Sequence, residues 1–126
     1  MKKILTLFLF ATSMLFIQND VDAQTNTTVL RHIVIITFKQ DAPADSIQAL
    51  DNLYMSLSKN PMVKDFEWGV NMSTRDTGVI KHIYATSFAS KEDIDSYRKL
   101  PDYPRLFKLS LPVADEVTVA DYWAKK

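Results

Sequence analysis

The spacing of apolar positions changes period along the chain, and each change marks an element. Val29 to Lys39 holds a β-branched run, Ile33-Val34-Ile35-Ile36, which predicts a strand. Asp41-Ala42-Pro43 opens a helix, since proline suits a first turn, and Ile47, Leu50, Leu53, Tyr54 and Leu57 then recur at three and four. Asn60-Pro61 stops it. From Val63 to Asn71 the period falls to two, with Phe66, Trp68 and Val70 on one face and Asp65, Glu67 and Gly69 on the other. Met72 to Ile80, containing Asp76-Thr77-Gly78, reads as a loop between antiparallel strands, and Lys81 to Phe88 as the third strand. Ser90 caps a second helix in a capping-box-like start with Asp93, and Ile94, Tyr97 and Leu100 supply its apolar side. Pro101 and Pro104 are expected to break that helix. Leu106, Phe107 and Leu109 suggest a further short helix ended by Pro112, and Glu116 to Tyr122 is the last strand.

The order β-α-β-β-α-β predicts an α+β fold, a ferredoxin-like sandwich with one sheet ordered 4-1-3-2 and helices on one face. The helix-side face is expected to carry His32, Val34, Ile36 and Phe38 from the first strand and His82, Tyr84, Thr86 and Phe88 from the third. The other face should then be polar in a monomer. It carries Ile33, Ile35 and Ile83 instead, with Thr118, Ala120 and Tyr122 on the last strand. Burying one Ile side chain is worth about 1.5–3 kcal/mol, so this face needs a cover, and a second copy of the sheet supplies one. A homodimer through Ile33, Ile35 and Ile83 is the expected partner arrangement.

The first residues change the picture of where the domain starts. Met1-Lys2-Lys3 is basic, Ile4 to Ile17 is uncharged and rich in Leu, Phe and Ile, and Val21-Asp22-Ala23 is a small-x-small site. These are the parts of a secretory signal peptide, and the apolar run is short of the roughly 20 residues that span a bilayer. The expected division is a signal peptide over 1–23, a polar tether over 24–28 and the domain over 29–126, with the mature chain periplasmic or secreted and free of the membrane. No Cys follows the leader to carry a lipid.

Composition mainly excludes. The 126 residues suit one domain, and 47% apolar with 24% charged residues is an ordinary globular balance. Lys plus Arg and Asp plus Glu are both 15, which argues against a nucleic-acid partner. With no Cys there is no thiolate nucleophile and no Cys-based metal or iron–sulfur site, and two His cannot make a three-His centre. No nucleophile triad, phosphate loop or dinucleotide fingerprint is present. No cofactor is expected.

Several stretches, taken in order, resemble one family. They are Arg31-His32-Ile33-Val34-Ile35-Ile36-Thr37-Phe38-Lys39, Lys64-Asp65-Phe66-Glu67-Trp68-Gly69, Lys81-His82-Ile83, Phe88-Ala89-Ser90-Lys91-Glu92, Tyr97, Pro101 and Ala120-Asp121-Tyr122. Together they resemble the stress-responsive dimeric α/β barrel (Dabb) domain, from about Val29 to Tyr122. The resemblance implies a ferredoxin-like fold, a homodimer whose two sheets form a barrel, and a cavity between each sheet and its helices. One branch of the family looks like plant polyketide cyclases, with a Tyr on the second helix and a His shortly after it. Tyr97 matches that Tyr, but Tyr103 stands where the His would be. A phenol with an ordinary pKa near 10 cannot replace an imidazole near 6.5 as the base, so the ring-closing chemistry does not carry over directly.

His32 and His82 start what should be neighbouring strands, and are expected to meet at the mouth of the cavity. There they would polarise a ligand carbonyl or shuttle a proton, with Tyr97 orienting the substrate oxygen. The same positions also suit two partly buried histidines satisfied by each other, by Tyr97 or by backbone. A metal shared by both His and Asp121 lacks a dense ligand spacing. Val34, Tyr54, Phe66, Tyr84, Tyr103 and Leu106 are the expected ligand-binding wall, apolar with a few hydroxyls. Trp68 reads as core or cavity wall, Lys64 as solvated, and Glu92-Asp93-Ile94-Asp95 as charge complementing a helix dipole. The function expected is binding of a small, mainly apolar molecule. The alternative is general acid/base chemistry by His32, His82 and Tyr97 on a carbonyl compound, of the polyketide cyclase type.

Overall fold

The computed structural model describes residues 28–125. The leader over 1–23 and the tether up to residue 27 lie outside the described residues. β1 (Val29–Phe38) alternates strictly: Leu30, His32, Val34, Ile36 and Phe38 are buried, and the residues between them half-buried. It pairs antiparallel with β3 (Lys81–Phe88) on one edge and with β4 (Ala114–Ala124) on the other. β2 (Asp65–Val70) pairs antiparallel with β3, so the sheet runs β2-β3-β1-β4, the expected order.

α1 (Ala44–Leu57) turns Ile47, Leu50, Leu53, Tyr54 and Leu57 onto the sheet. Asp51 is buried on the same side, a carboxylate in an otherwise apolar stripe. α2 (Lys91–Arg98) starts where Ser90 Oγ accepts the Asp93 N–H at 3.1 Å, and buries Ile94 and Tyr97. α3 (Tyr103–Ser110) corrects one expectation: Pro104 breaks nothing but lies in the first turn of this helix. The N–H it lacks would have had no intrahelical acceptor there. Leu50 and Phe88 are completely buried and mark the centre of the core.

The edge strands differ from their expected bounds. β4 is longer than Glu116 to Tyr122 because it follows β1 for that strand's whole length, from Val29 opposite Ala124 to Phe38 opposite Ala114. Ala has low strand propensity, and pairing with Phe38 overrides it at Ala114, while Asp115 falls in the register shift between Thr37 and Phe38. β2 is shorter than expected, since Val63 N–H is drawn into the preceding turn by the Asn60 carbonyl. The β2–β3 loop contains one 3₁₀ turn, Thr74–Asp76, and Gly78 at φ 80°, the left-handed conformation that glycine adopts freely. Asp76 closes the loop by accepting from Asn71 Nδ2 at 2.9 Å and Lys81 Nζ at 3.1 Å.

All three helices lie on one face. On the other, Ile33, Ile35 and Ile83 are half-buried with no helix above them, and Arg31 reaches across to Ser87 and Glu67. The helical layer stops short of β4, leaving Val117 and Val119 about half exposed on the helix side. No helix among the described residues is long and apolar enough to cross a membrane.

Candidate functional site

An open groove of about 310 Å³ lies where the helices leave β4 uncovered. β1 supplies His32, Val34 and Ile36 to its floor, and β4 supplies Val117 and Val119. Tyr54 of α1, Tyr97 and Arg98 of α2, and Tyr103, Pro104, Leu106, Phe107 and Ser110 of α3 complete the walls. Strand parity puts alternate residues of β1 and β4 on this face, and the helical stripes bring down the tyrosines.

His32 is buried, and its Nδ1–H donates to Asp121 Oδ1 at 2.5 Å. Asp121 is the residue opposite His32 on β4. A carboxylate only accepts, so this bond selects the tautomer with the proton on Nδ1 and leaves Nε2 as the lone-pair nitrogen. Asp121 Oδ2 accepts from Arg98 Nη2 at 3.1 Å, and Arg98 Nη1 lies 3.8 Å from Asp95. Among the described residues, the one Lys or Arg lining the groove is Arg98, and it is shared between two carboxylates.

Tyr54, Tyr97 and Tyr103 make no side-chain hydrogen bond among the described residues. Burial pushes the Tyr54 and Tyr97 hydroxyls above the ordinary phenol range. The nearby Tyr97 and Tyr103 hydroxyls push Tyr54 further, and Tyr103 does the same to Tyr97. These two phenols stay neutral through the physiological range, ready to donate. Tyr97 and Tyr103 meet edge to face, with ring centroids 5.4 Å apart.

A second histidine–aspartate pair lies elsewhere. His82 Nδ1–H donates to Asp51 at 2.8 Å, and Tyr84 OH donates to the same oxygen. This accounts for the carboxylate in the α1 stripe: a buried charge is tolerated when hydrogen-bonded. Burial first, and then the bond to Asp51, hold the Tyr84 hydroxyl far above its usual range. Tyr84 stacks on Tyr54 at 3.8 Å, while Phe38 and Trp68 flank the His82 ring.

The structure thus brings together six of the expected residues, His32, Val34, Tyr54, Tyr97, Tyr103 and Leu106, at one groove. It does not bring in His82, Tyr84 or Phe66. The expected pairing of His32 with His82 is corrected. Both face the helices, but β1 and β3 are antiparallel, so His32 lies opposite Thr86 and His82 opposite Ile36. They stand about 13 Å apart along the sheet, at about 3.3 Å per residue, too far to share a proton or a metal ion. Tyr84 spends its hydroxyl on Asp51, and Phe66 packs against the core. Trp68 is 40% exposed on an edge strand, outside the groove. Lys64 is also absent from the groove lining.

Residues 30–124 match the family model described as the Stress responsive A/B Barrel Domain. The chain belongs to the stress responsive A/B barrel domain family. One relative, a stress-response A/B barrel domain-containing protein of Arabidopsis thaliana, is 27% identical over 99 residues, 78% of this chain and 38% of the relative. A second from the same plant, HS1, is 29% identical over 96 residues, 74% of this chain and 87% of HS1. The chain thus spans well under half of the first relative but most of the second. Among solved structures, the hydroxynitrile lyase from Passiflora edulis is similar with a TM-score of 0.69 and 21% identity, over 79% of this chain and 96% of that one. A dimeric ferredoxin-like protein of unknown function from Thermobifida fusca is similar with a TM-score of 0.66 and 13% identity, over 77% and 92%. At these identities the two structures share the fold.

Sequence reasoning about this A/B barrel domain missed Asp51 as a partner of His82, and Asp121 with Arg98 as a unit behind His32. A carboxylate inside the α1 apolar stripe was a signal for the first. Nothing local signals the second, since Asp121 and His32 are 89 positions apart.

The buried phenols have a measurable consequence. A pKa raised in the folded state means the fold favours the protonated phenol. That contribution is complete below the unfolded value of about 10 and is lost as pH rises above it. In a titration of phenolate absorbance, Tyr54, Tyr84 and Tyr97 are expected to stay silent near pH 10 while the protein is folded. Their signal should appear only together with alkaline unfolding followed by circular dichroism. Ionisation of all five tyrosines near pH 10, with the fold intact, would contradict the burial.

Proposed function

We propose that the protein is an exported homodimer whose groove, one per subunit, holds a small, neutral, mainly apolar molecule bearing a carbonyl or hydroxyl oxygen. One observation carries this reading: the side chains of Tyr54, Tyr97 and Tyr103, without hydrogen-bond partners among the described residues, meet at an apolar groove beside His32. A pocket that is mostly apolar, with a few convergent polar groups, suits such a ligand. A neutral ligand is favoured over an anion because Arg98 is already engaged by Asp121 and Asp95. The equal numbers of acidic and basic residues disfavour a nucleic-acid partner.

The orientation of His32 by Asp121 favours a second reading, general acid/base chemistry on a carbonyl compound. A histidine held by a carboxylate through Nδ1 presents Nε2 as a base. In that reading His32 moves the proton and Tyr97 holds the substrate oxygen. His82, whose Nδ1–H is committed to Asp51 away from the groove, takes no part.

The dimer is supported by the uncovered Ile33, Ile35 and Ile83, and the Thermobifida fusca neighbour is described as dimeric. Export is supported by the basic start, the apolar run to Ile17 and the Val21-Asp22-Ala23 site.

Four experiments test the proposal. Calorimetry with acetophenone and benzoate, which differ little in shape, is expected to show binding of the ketone and not of the carboxylate. Tyr97→Phe should weaken ketone binding about three- to tenfold, the scale of one hydrogen bond. Equal binding of benzoate, or an unchanged Tyr97→Phe, would sink the reading. Turnover of a carbonyl substrate by wild type, lost in His32→Gln, would establish the second reading instead. Ile35→Asp would bury an unpaired charge at a cost of several kcal/mol and is expected to give monomers in sedimentation where wild type is dimeric; a monomeric wild type at micromolar concentration ends the dimer proposal. Intact-mass analysis of exported protein is expected to give a chain beginning at Gln24, and retention of Met1 to Ala23 would rule that out.

A further inference from the structure

We propose that the binding site continues past Arg98 into a second chamber, and that the Arg98–Asp121 ion pair is a displaceable bar between the two. Arg98 then determines how a ligand's apolar tail is accommodated by length. The inference rests on the reading of the groove as the site of a small carbonyl compound, and adds the shape of that compound.

The sheet register puts the two spaces in one row. On the helix side of β1 and β4 the opposed pairs run Ile36 with Val117, Val34 with Val119, His32 with Asp121, and Leu30 with Trp123. The first two pairs and His32 line the groove already described. Asp121, Leu30 and Trp123 line a separate cavity of about 240 Å³, which Lys91, Ile94 and Tyr122 complete. Among the described residues, Arg98 alone lines both. From Ile36 back to Leu30 the row covers roughly 20 Å, at about 3.3 Å per residue.

The second chamber suits an apolar tail. Leu30 and Ile94 are buried, and Trp123 on the edge strand leaves half of its surface open. That indole gains by being covered. The one carboxylate lining the chamber, Asp121, already accepts from His32 and from Arg98 Nη2 at 3.1 Å. Lys91 is exposed to solvent.

The bar is weak beside what it opposes. The Arg98 and Asp121 side chains are 38% and 39% exposed. An ion pair so open to water shifts an equilibrium by less than about fivefold. When it parts, Arg98 keeps Asp95 at 3.8 Å and Asp121 keeps His32. Each methylene removed from water tightens binding about fourfold. Two methylenes beyond the bar therefore outweigh it. A short ligand leaves the bar closed, and a longer one turns the guanidinium aside and lays its tail against Trp123.

The chain carries its own reporter. It has two tryptophans, and Trp68 lies outside both cavities. Trp68→Phe leaves Trp123 as the single indole emitter. The probes are straight-chain ketones from methyl propyl to methyl nonyl ketone, titrated by calorimetry on the native chain and by fluorescence on Trp68→Phe. Methyl propyl ketone is expected to bind without moving the Trp123 emission. The longer ketones are expected to shift it to the blue and to bind about fourfold tighter per methylene beyond the bar. In Arg98→Ala the affinity ratio of methyl nonyl to methyl propyl ketone should rise two- to fivefold, because no ion pair opposes the tail. Binding with Trp123 silent at every chain length would overturn the proposal and leave the groove reading standing. So would a ratio unchanged or lowered in Arg98→Ala. Absence of binding at every length ends both readings.

Discussion

β1 is hydrogen-bonded along both edges, to β3 and to β4, and that double pairing sets the position of everything at the groove. With side chains alternating across the sheet, one strand places Leu30, His32, Val34, Ile36 and Phe38 against the helices and Ile33 and Ile35 away from them. The same ladder sets Asp121 opposite His32 and His82 opposite Ile36. A slip of one residue would reverse every facing at once. The core packed around Leu50 and Phe88 resists such a slip, because it would turn polar side chains into that space.

Two histidine–aspartate pairs come from this arrangement and behave differently because of what surrounds them. His82 and Asp51 lie under α1 with Tyr84 on the same carboxylate oxygen, flanked by Phe38 and Trp68. Its donors are matched to an acceptor, and its role is to join α1 to β3. His32 and Asp121 sit where the helical layer ends and an edge strand is left bare. There the imidazole lines a groove bordered by phenols. The carboxylate behind it is 39% exposed and also accepts from Arg98 Nη2 at 3.1 Å, a surface ion pair of modest strength. Similar residue types thus give an enclosed fixture in one place and a pair at the edge of a groove in the other.

The facing of the site was legible without a structure. Parity placed His32 and His82 on the helix side, and the three-and-four spacing of Ile47, Leu50, Leu53, Tyr54 and Leu57 turned Tyr54 toward them. The sheet order and the short third helix were legible too. The start of that helix was not, because Pro104 reads as a breaker unless its place in a first turn is known. The ends of β4 were not, because Ala114 and Asp115 carry no strand signal of their own.

The sequence alone determined which residues share a face, because periods of two and of three to four are local properties of the backbone. It also determined that no thiol chemistry is available, that positive and negative side chains balance, and that the second sheet face is apolar. Only the tertiary structure decided which residues on a shared face touch. Antiparallel pairing sent His32 and His82 to opposite ends of the sheet. The edge position of β4 brought Asp121 to His32 across 89 positions of chain, and the end of α2 carried Arg98 onto that carboxylate. The register of distant strands is set by packing of the whole core, and no local pattern in the chain encodes it.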